Sequence, residues 1–382
     1  MEQQTQTISR EGIGIYIHVP FCASKCGYCD FYSRVRRDQM EGYLDALERE
    51  IDGWKHRGLK ADTVFFGGGT PSLLTSAQLE RVMNAVRENF ELLPCAEITM
   101  EANPETVDTA SLKAAYQLGI NRLSYGVQSA VDKELKALGR KHTFARAVQA
   151  VLEAREAGFS NISLDLMLGI PYQTAESLQT TLTEILALAP QHISCYLLKI
   201  EEGTPFYRKN AAQWCASEDE TADFYLTVAR TLRAAGYRHY EISNFAKPGF
   251  ESRHNLKYWH DEPYIGFGPA AHSCIDGKRF YNPSDLGQYI ETQGNCSLLE
   301  ESGPVQDTSE RMMLGLRLAE GIDLSQIGRL DTNFDTAAQQ AFLKKAAVFE
   351  KAGLLTVTGS RVSLTEEGML VSNMLLASLL PD

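Results

Sequence analysis

The chain has 382 residues, of which 44% are hydrophobic and 23% are charged, and its formal net charge is −12. This length predicts two domains, and the composition is that of an ordinary globular protein. The acidic balance argues against a broad basic face, so we expect no nucleic-acid partner. No run of about 18 apolar residues is present, which argues against a transmembrane helix.

The start of the chain and the scattered cysteines predict a cytoplasmic protein. The segment from Met1 to Thr7 is polar and lacks the apolar core of a signal peptide. Five of the eight cysteines have no ligand-like spacing, as expected for free thiols in a reducing compartment. These five are Cys95, Cys195, Cys215, Cys274 and Cys296.

The other three cysteines form a compact motif after a predicted strand. The alternating run Gly14–Val19 predicts the strand, and Cys22, Cys26 and Cys29 follow at C-x3-C-x2-C spacing. They therefore lie at the C-terminal end of a strand, where α/β sheets and barrels place their chemistry. Three thiolates suit a [4Fe-4S] cluster with one open iron, whereas structural zinc takes four ligands. A zinc site completed by His18, or a redox thiol pair, is the alternative.

Helices and short apolar runs alternate along the next part of the chain. Six predicted strands recur about every 30 residues, which is typical of βαβ units around a parallel sheet. Because a closed barrel has eight strands, we predict a partial (β/α)6 barrel. The predicted strands begin at Gly14, Thr63, Glu97, Arg122, Asn161 and His192, and the main predicted helices cover 39–56, 76–89, 108–118, 144–157, 175–188 and 217–235.

Polar residues stand where these strands end. Glu101, Gln128 and Asp165 end the third, fourth and fifth predicted strands, and the triple glycine Gly67–Gly69 ends the second. Glycines after a strand let the backbone approach a ligand closely. We therefore expect these side chains at one rim above the cysteine loop, where Arg140 is a further candidate for binding a carboxylate.

Residues 236–305 are dense in aromatic side chains and carry His254, His260 and His272. Aromatic rings with a histidine suit a flat hydrophobic ligand whose iron imidazole can bind, and an inter-domain packing patch is the alternative. The segment from Tyr264 to His272 is interpreted as a glycine-rich loop.

The end of the chain predicts a small winged-helix-like α+β domain, with helices followed by a two-stranded hairpin. Residues 305–382 carry seven basic and ten acidic side chains, so a lid or partner surface is favoured over DNA binding. The predicted domains are a flexible N-terminus (1–12), the barrel (13–235), a linking segment (236–305) and the winged-helix-like domain (306–382).

The cysteine motif, with Tyr28 before its last cysteine, resembles the signature of the radical S-adenosylmethionine (SAM) superfamily. In that superfamily the open iron chelates SAM, and the reduced cluster cleaves SAM to methionine and a 5′-deoxyadenosyl radical. The partial barrel is also the known core of the superfamily.

Nearly the whole chain further resembles the oxygen-independent coproporphyrinogen III oxidase family. The shared motifs are the triple glycine, Glu101-x-Asn-Pro, Gly126-Val-Gln-Ser and Asp165-Leu-Met-x-Gly-x-Pro. The resemblance implies that Cys22, Cys26 and Cys29 hold the [4Fe-4S] cluster. It also implies a set of SAM contacts, which are Tyr16, Tyr28, Gly68, Gly69, Thr70, Glu101, Gln128, Arg140 and Asp165.

Two branches of this family differ near the cysteines. The oxidases have a fourth cysteine where this chain has Phe31, and an N-terminal arm for which Cys22 comes too early. The other branch, the HemW-type heme chaperones, has phenylalanine there and an H-N-x-x-Y-W motif. His254-Asn-Leu-Lys-Tyr-Trp259 matches that motif, so the chain most resembles the chaperone branch.

The resemblance implies a protein that binds heme, with His254 as a heme contact, and transfers it to an acceptor protein. It also implies a one-electron donor such as flavodoxin or ferredoxin, and adds peripheral membrane association and a cluster-dependent dimer as expectations. Coproporphyrinogen oxidase activity is not expected, whereas SAM cleavage stays open. The alternative function is an oxygen-independent coproporphyrinogen III dehydrogenase that decarboxylates propionates.

Overall fold

The computed structural model describes residues 12–35, 37–295, 299–300, 305 and 307–380. Apart from Gly12, the predicted flexible N-terminus lies outside these residues, as does Cys296. The strands are β1 (Ile13–Val19), β2 (Lys60–Gly68), β3 (Glu91–Ala102), β4 (Arg122–Gln128), β5 (Ile162–Leu168), β6 (His192–Leu197), β7 (Arg238–Glu241), β8 (Asn244–Ala246), β9 (Tyr264–Phe267), β10 (His272–Ile275), β11 (Lys278–Tyr281), β12 (Leu299–Glu300), β13 (Ile322–Asp323), β14 (Leu355–Thr358) and β15 (Arg361–Leu364).

The helices lie mainly between the barrel strands and in the C-terminal region. They are α1 (Met40–Asp52), α2 (Ser76–Asn89), α3 (Thr109–Gln117), α4 (Asp132–Leu138), α5 (Phe144–Ala157), α6 (Ala175–Ala187), α7 (Pro205–Arg208), α8 (Glu218–Ala234), α9 (Arg253–Trp259), α10 (Leu286–Glu291), α11 (Thr308–Gly315), α12 (Leu324–Leu330), α13 (Thr336–Lys351), α14 (Glu366–Leu370) and α15 (Ser372–Leu379). Within the described ranges, no helix is both long and apolar enough to cross a membrane.

Strands β1 to β6 form a continuous parallel array, which confirms the predicted partial (β/α)6 barrel. The full sheet order is β12-β11-β10-β9-β1-β2-β3-β4-β5-β6-β8-β7. Tyr16 pairs with Phe65 across β1 and β2, and Glu101 pairs with Ser124 across β3 and β4. Because parallel strands keep their carboxyl ends together, this register places Glu101 and Gln128 toward one end of the barrel. The prediction that Asp165 ends its strand is wrong, since it lies in the middle of β5.

The two faces of each barrel strand differ in polarity. The outward residues of β1, such as Ile15 and Ile17, are fully buried in one apolar core with the surrounding helices. Burying each such side chain contributes roughly 1.5–3 kcal/mol. The inward residues of β1 include Tyr16 and His18, so the lumen of the barrel is polar while its outer face is apolar.

Helix α2 shows how local sequence sets the element bounds. Thr75 accepts a hydrogen bond from the Gln78 N–H at 3.3 Å, and the Gln78 side chain accepts from the Thr75 N–H at 3.0 Å. This capping box satisfies two orphan donors of the first turn. The helix covers the predicted residues 76–89, and its N-cap is Thr75.

The region after α8 extends the barrel sheet at both edges. Strand β9 pairs in parallel with β1, and β8 pairs antiparallel with β6. The interpretation of Tyr264–His272 as a loop is therefore wrong for its first four residues, which form β9. A Cβ on Gly266 would lie 2.3 Å from the His272 carbonyl oxygen, so this glycine permits close backbone packing inside the sheet.

The C-terminal domain carries a separate antiparallel sheet of order β13-β15-β14, flanked by α11 to α15. This arrangement of helices and a two-stranded wing confirms the winged-helix-like prediction. The domain packs on α8 and β7: the Tyr225 hydroxyl donates to Met369 Sδ at 3.8 Å, and Ala319 N–H donates to the Tyr240 carbonyl at 3.0 Å.

Candidate cofactor site

The cysteine loop is held by backbone hydrogen bonds to three other segments. Cys22 N–H donates to the Arg34 carbonyl at 2.9 Å, and Gly27 N–H donates to the Leu138 carbonyl at 3.3 Å. Phe206 N–H donates to the Gly27 carbonyl at 2.9 Å. A Cβ on Gly27 would lie 2.4 Å from the Phe206 ring, so glycine is needed for this close packing. These contacts hold the loop against α4 and α7.

The three thiols lie near one another and near one cation. Burial is the largest cause that raises the pKa of Cys29, and the neighbouring Cys26 and Cys22 raise it further. Arg140 Nη1 lies 3.7 Å from Cys26 Sγ. Among the described residues, no three His, Cys, Asp or Glu side chains converge as they would around one metal ion. A [4Fe-4S] cluster can be held by three cysteine thiolates with one iron left open, whereas structural zinc takes four ligands, so a set of three thiols fits a cluster better than zinc.

His18 does not fit the alternative role of a fourth zinc ligand. Its ring is buried between β1 and the cysteine loop, and burial lowers its pKa. Nδ1 is bonded to the Tyr16 hydroxyl at 3.1 Å, and Nε2 is bonded to the Tyr32 carbonyl at 2.9 Å. Both ring nitrogens are therefore bonded to protein groups. The bond to the Tyr32 carbonyl connects His18 to the segment that follows the cysteines.

The triple glycine packs directly against the start of the cysteine loop. Gly69 N–H donates to the Val19 carbonyl at 2.8 Å, and Thr70 N–H donates to the Phe21 carbonyl at 2.7 Å. A Cβ on Gly69 would lie 2.5 Å from the Phe21 oxygen, and Gly68 has a φ of +101°. A side chain at either position would separate the two segments, so glycine loop and cysteine loop form one packed unit.

Arg140 connects the cysteine loop to two barrel strands. Its Nη2 donates to the Gly126 carbonyl at 2.6 Å and also to Asn103 Oδ1. Tyr28 packs edge-on against Phe206, with ring centroids 6.2 Å apart, and burial raises the pKa of its hydroxyl. Asn103 is not among the predicted contacts, although it also donates through Nδ2 to the Thr70 hydroxyl at 3.2 Å.

Gln128 ends β4 in an unusual backbone conformation. Its φ is +71°, and the pairing register with β5 shifts between Gly126 and Gln128. A non-glycine residue in the left-handed region is strained, and such residues gather at ligand sites. The bulge places the buried Gln128 amide beside Gly126, where a Cβ would lie 2.9 Å from Gln128 Nε2.

Glu101 and Asp165 are two buried acids that influence each other. Burial is the largest cause that raises the pKa of Glu101, to about 8, and the charge of Asp165 adds to it. The Gly68 N–H donates to the Glu101 carboxyl group. Burial also raises the pKa of Asp165, although the Ser124 hydroxyl donates to it at 3.0 Å. At neutral pH Glu101 therefore holds a proton, which a cationic ligand would displace.

Below this rim the barrel encloses a polar cavity of about 190 Å³, lined in part by Tyr16, Glu101 and Asp165. Other lining residues were missed by the sequence prediction. They include Arg122, Ser124, His192, Ser194, Asn255 and Tyr258. The missed signal is the alternation of polar and apolar residues in the first halves of β4, β5 and β6. Parallel strands that are buried in apolar surroundings on both faces are instead apolar throughout.

His254 lies at the bottom of this cavity and is only 1% exposed. Nδ1 is bonded to the Thr63 hydroxyl at 2.8 Å, and Nε2 is bonded to the Tyr258 hydroxyl at 2.8 Å. Its ring stacks on Phe65 at a centroid distance of 5.2 Å, and burial lowers its pKa to about 3. The predicted heme contact therefore lacks geometric support in this conformation, since neither ring nitrogen is available to iron.

A larger cavity of about 480 Å³ lies on the outer side of the sheet, between α1 and β9 to β11. Trp54 and Phe280 contribute to its wall, and the Glu50 carboxyl group faces it. Tyr289 OH and Asn282 Nδ2 each donate to Glu50 at 2.6 Å. No predicted cofactor contact lines this cavity, so it is separate from the cysteine loop.

Family comparisons agree with this geometry. The family model described as "Radical SAM superfamily" matches residues 16–185, and the one described as "HemN C-terminal domain" matches residues 306–371. Coproporphyrinogen III oxidase (HemN) from Escherichia coli, described as a radical SAM enzyme, is 26% identical with a TM-score of 0.81. That likeness covers 97% of this chain and 90% of the other. Fold and site define a radical SAM protein, and this superfamily implies a [4Fe-4S] cluster and SAM.

Curated relatives identify the family to which the chain belongs within this superfamily. A protein named heme chaperone HemW from Synechocystis is 41% identical, covering 82% of this chain and 79% of the relative. The protein of the same name from Bacillus subtilis is 36% identical, covering 94% and 96%. The Escherichia coli one is 37% identical, covering 74% and 78%. The chain belongs to the HemW family.

Proposed function

We propose that the protein is a cytoplasmic heme chaperone, which binds heme and passes it to an acceptor protein. The observation that carries this proposal is similarity over most of the chain to proteins named heme chaperone HemW. In this proposal Cys22, Cys26 and Cys29 hold the [4Fe-4S] cluster, and SAM binds its open iron. The cluster supplies one-electron reduction, for which a flavodoxin- or ferredoxin-like donor is the partner.

Exposed apolar side chains at the C-terminal end of the barrel support heme docking there. We call them the apolar rim: Phe31 on the cysteine loop, Tyr196 and Leu197 at the end of β6, Tyr207 on α7, and Trp214. Phe31 is 71% exposed, and the others are 42–52% exposed. Exposed apolar groups gathered at one end of a protein mark a binding surface, and a heme macrocycle is flat and apolar.

The expected contact between His254 and heme requires a movement in this proposal. Both of its ring nitrogens are bonded within the barrel, so α9 must leave the barrel before His254 can reach iron. Docking at the apolar rim requires no such movement. We therefore propose the rim as the first heme contact.

A heme titration of anaerobically reconstituted protein tests this function. The Soret absorbance of the wild type is expected to saturate, and a Phe31→Ala/Trp214→Ala variant should bind heme at least tenfold more weakly. Leu330→Ala is the matched control, because Leu330 is 68% exposed on α12 of the other domain. Absence of saturable heme binding in the wild type would overturn the function. An equal loss of heme affinity in Leu330→Ala would overturn the proposal that the apolar rim binds heme.

Two further experiments test the expected assembly. Size-exclusion chromatography of the same sample, with and without the cluster, tests the expected dimer, and vesicle flotation tests membrane association.

An oxygen-independent coproporphyrinogen III dehydrogenase is the second candidate. The structural similarity to the Escherichia coli oxidase favours it, as does the location of the predicted SAM contacts at one end of the barrel. Anaerobic incubation with coproporphyrinogen III, SAM and a reductant separates the two functions. The chaperone should form no protoporphyrinogen, whereas turnover to protoporphyrinogen with release of carbon dioxide would establish the enzyme.

A further inference from the structure

The lower end of the barrel lumen is closed by helix α9. Arg253 N–H and His254 N–H donate to the two carboxylate oxygens of Glu97 at 3.2 and 3.1 Å. Arg122 begins β4 and Gln128 ends it. At a rise of about 3.3 Å per residue, Arg122 lies about 20 Å below Gln128. Arg122 pairs with Thr99, two residues before Glu101, so the floor of the 190 Å³ cavity lies directly below the predicted SAM contacts Glu101 and Asp165, which line the same cavity.

Most polar groups in the wall of the cavity are bonded to other protein groups. His192 Nδ1 is bonded to the Ser163 hydroxyl at 2.7 Å, and Nε2 is bonded to the Tyr240 hydroxyl at 2.7 Å. Asp165 accepts from the hydroxyls of Ser124 and Ser163 at 3.0 and 3.4 Å. These groups have little capacity left to bind a ligand.

Two donors in the same wall have no such partners. Arg122 is only 2% exposed, and its Nε is buried without a hydrogen-bond partner. Over the described ranges its guanidinium makes no hydrogen bond or ion pair with another side chain, and the amide of Asn255 makes none either. A bound anion would accept from the guanidinium N–H groups that the protein leaves without an acceptor.

Burial raises the pKa of both Glu101 and Asp165 and the charge of Arg122 lowers it, but within the described residues neither acid makes a hydrogen bond or ion pair with its guanidinium. Glu101 holds a proton at neutral pH, because burial raises its pKa to about 8. Asp165 has serine donors of its own. His192 and His254 are neutral, because burial lowers the pKa of each. The Tyr16 and Tyr258 hydroxyls also stay uncharged, since burial raises the pKa of both.

We propose that Arg122 and Asn255 form a carboxylate-binding subsite at the floor of the barrel, below the predicted SAM contacts Glu101 and Asp165. A guanidinium fork matches the two oxygens of a carboxylate, and an amide N–H adds a third donor. The cavity has room for a short carboxylate chain but not for a porphyrin ring. The carboxylate comes either from a small free acid or from the propionate side chain of a porphyrin bound above.

Propionate binding to the cluster-containing full chain tests the subsite. Sodium propionate is titrated against sodium chloride of equal ionic strength, and the Tm and calorimetric heat are followed. The wild type should show saturable binding, Arg122→Gln should lose it, and Asn255→Ala should weaken it severalfold. Arg146→Gln is the matched control, because Arg146 already pairs with Glu153 at 2.9 Å on the outer surface. Should Arg122→Gln fail to fold, Asn255→Ala still tests the subsite, since its amide has no protein partner to lose.

Three outcomes overturn the proposal. They are the absence of saturable propionate binding in the wild type, unchanged binding in Asn255→Ala or a folded Arg122→Gln variant, and complete displacement of propionate by SAM. The last would make the cavity part of the SAM site.

A competition experiment identifies the source of the carboxylate. Competition by protoporphyrin IX but not by its dimethyl ester would assign the carboxylate to a porphyrin, and no competition by either would assign it to a free acid. The propionate titration needs no heme, so it succeeds or fails independently of the chaperone function.

Discussion

Replacing Glu101 with glutamine is expected to stabilise the SAM-free protein at neutral and alkaline pH. Burial, followed by the charge of Asp165, raises the pKa of Glu101 from 4.5 to about 8. Above pH 4.5 the unfolded chain releases this proton while the folded protein keeps it. The folded state therefore loses stability as the pH rises, and the loss is complete above about pH 8.

The size of this loss follows from the two pKa values. The difference between 4.5 and about 8 corresponds to about 5 kcal/mol in total, of which about 3 kcal/mol accumulates between pH 5.5 and 8. Glutamine does not titrate, and its oxygen can still accept the Gly68 N–H. The stability of Glu101→Gln relative to the wild type should therefore rise by about 3 kcal/mol over this range.

Urea unfolding of the cluster-containing, SAM-free protein at pH 5.5 and 8 measures this difference. Asp108→Asn is the matched control: hydrogen bonds from the backbone and side chain of Ser111 lower the pKa of Asp108. Asp108 is thus ionised at both pH values, and its variant should change the stability equally at both. An equal effect of Glu101→Gln at the two pH values would refute the raised pKa. Calorimetry should also show weaker SAM binding by Glu101→Gln, because an amide cannot carry the negative charge that attracts a cationic ligand.

Three further substitutions test the glycine loop, the cation beside the cysteines and the floor of the barrel. Gly69→Ala places a Cβ 2.5 Å from the Phe21 oxygen, so SAM affinity should fall at least tenfold by calorimetry, and wild-type affinity would contradict the packing. Arg140→Met removes the cation near the thiols, so the midpoint potential of the cluster should become more negative in a redox titration, and an unchanged potential would contradict its influence. His254→Ala removes the stack on Phe65 and two hydrogen bonds, so urea unfolding should show a loss of about 2–4 kcal/mol. A fully stable His254→Ala variant would show that the ring does not support the floor.

Local patterns in the sequence were sufficient to predict the barrel. The helix at 144–157 was predicted with its observed bounds, since Thr143 caps its first turn and Gly158 ends it. The six parallel strands were predicted because apolar runs ended by polar residues or glycine recur at a regular interval. Their direction alone brings Glu101 and Gln128 to the same end of the barrel, so much of the cofactor site followed from the strand order expected for βαβ units.

The glycine-rich segment was harder to assign because glycine occurs both in loops and inside closely packed strands. Gly266 lies inside β9, where the absence of a side chain permits the close approach of His272, although the same residue is common in loops. Nothing in the local pattern indicates that β9 pairs with β1, which is about 250 positions earlier in the chain. Such pairing depends on the position of every intervening strand.

The sequence by itself determined the cysteine loop, its position after the first strand, and the alternation of strands and helices, because these depend on residues close together in the chain. Only the tertiary structure decided the surroundings of His254 and Arg122. His254 is bonded to Thr63, 191 positions earlier, and this contact places its ring in the barrel floor. Arg122 is distinctive only because the strands around it leave its buried Nε without a hydrogen-bond partner in the barrel cavity. Whether a polar side chain has a partner is set by the strand register and by helix α9, which no local pattern encodes.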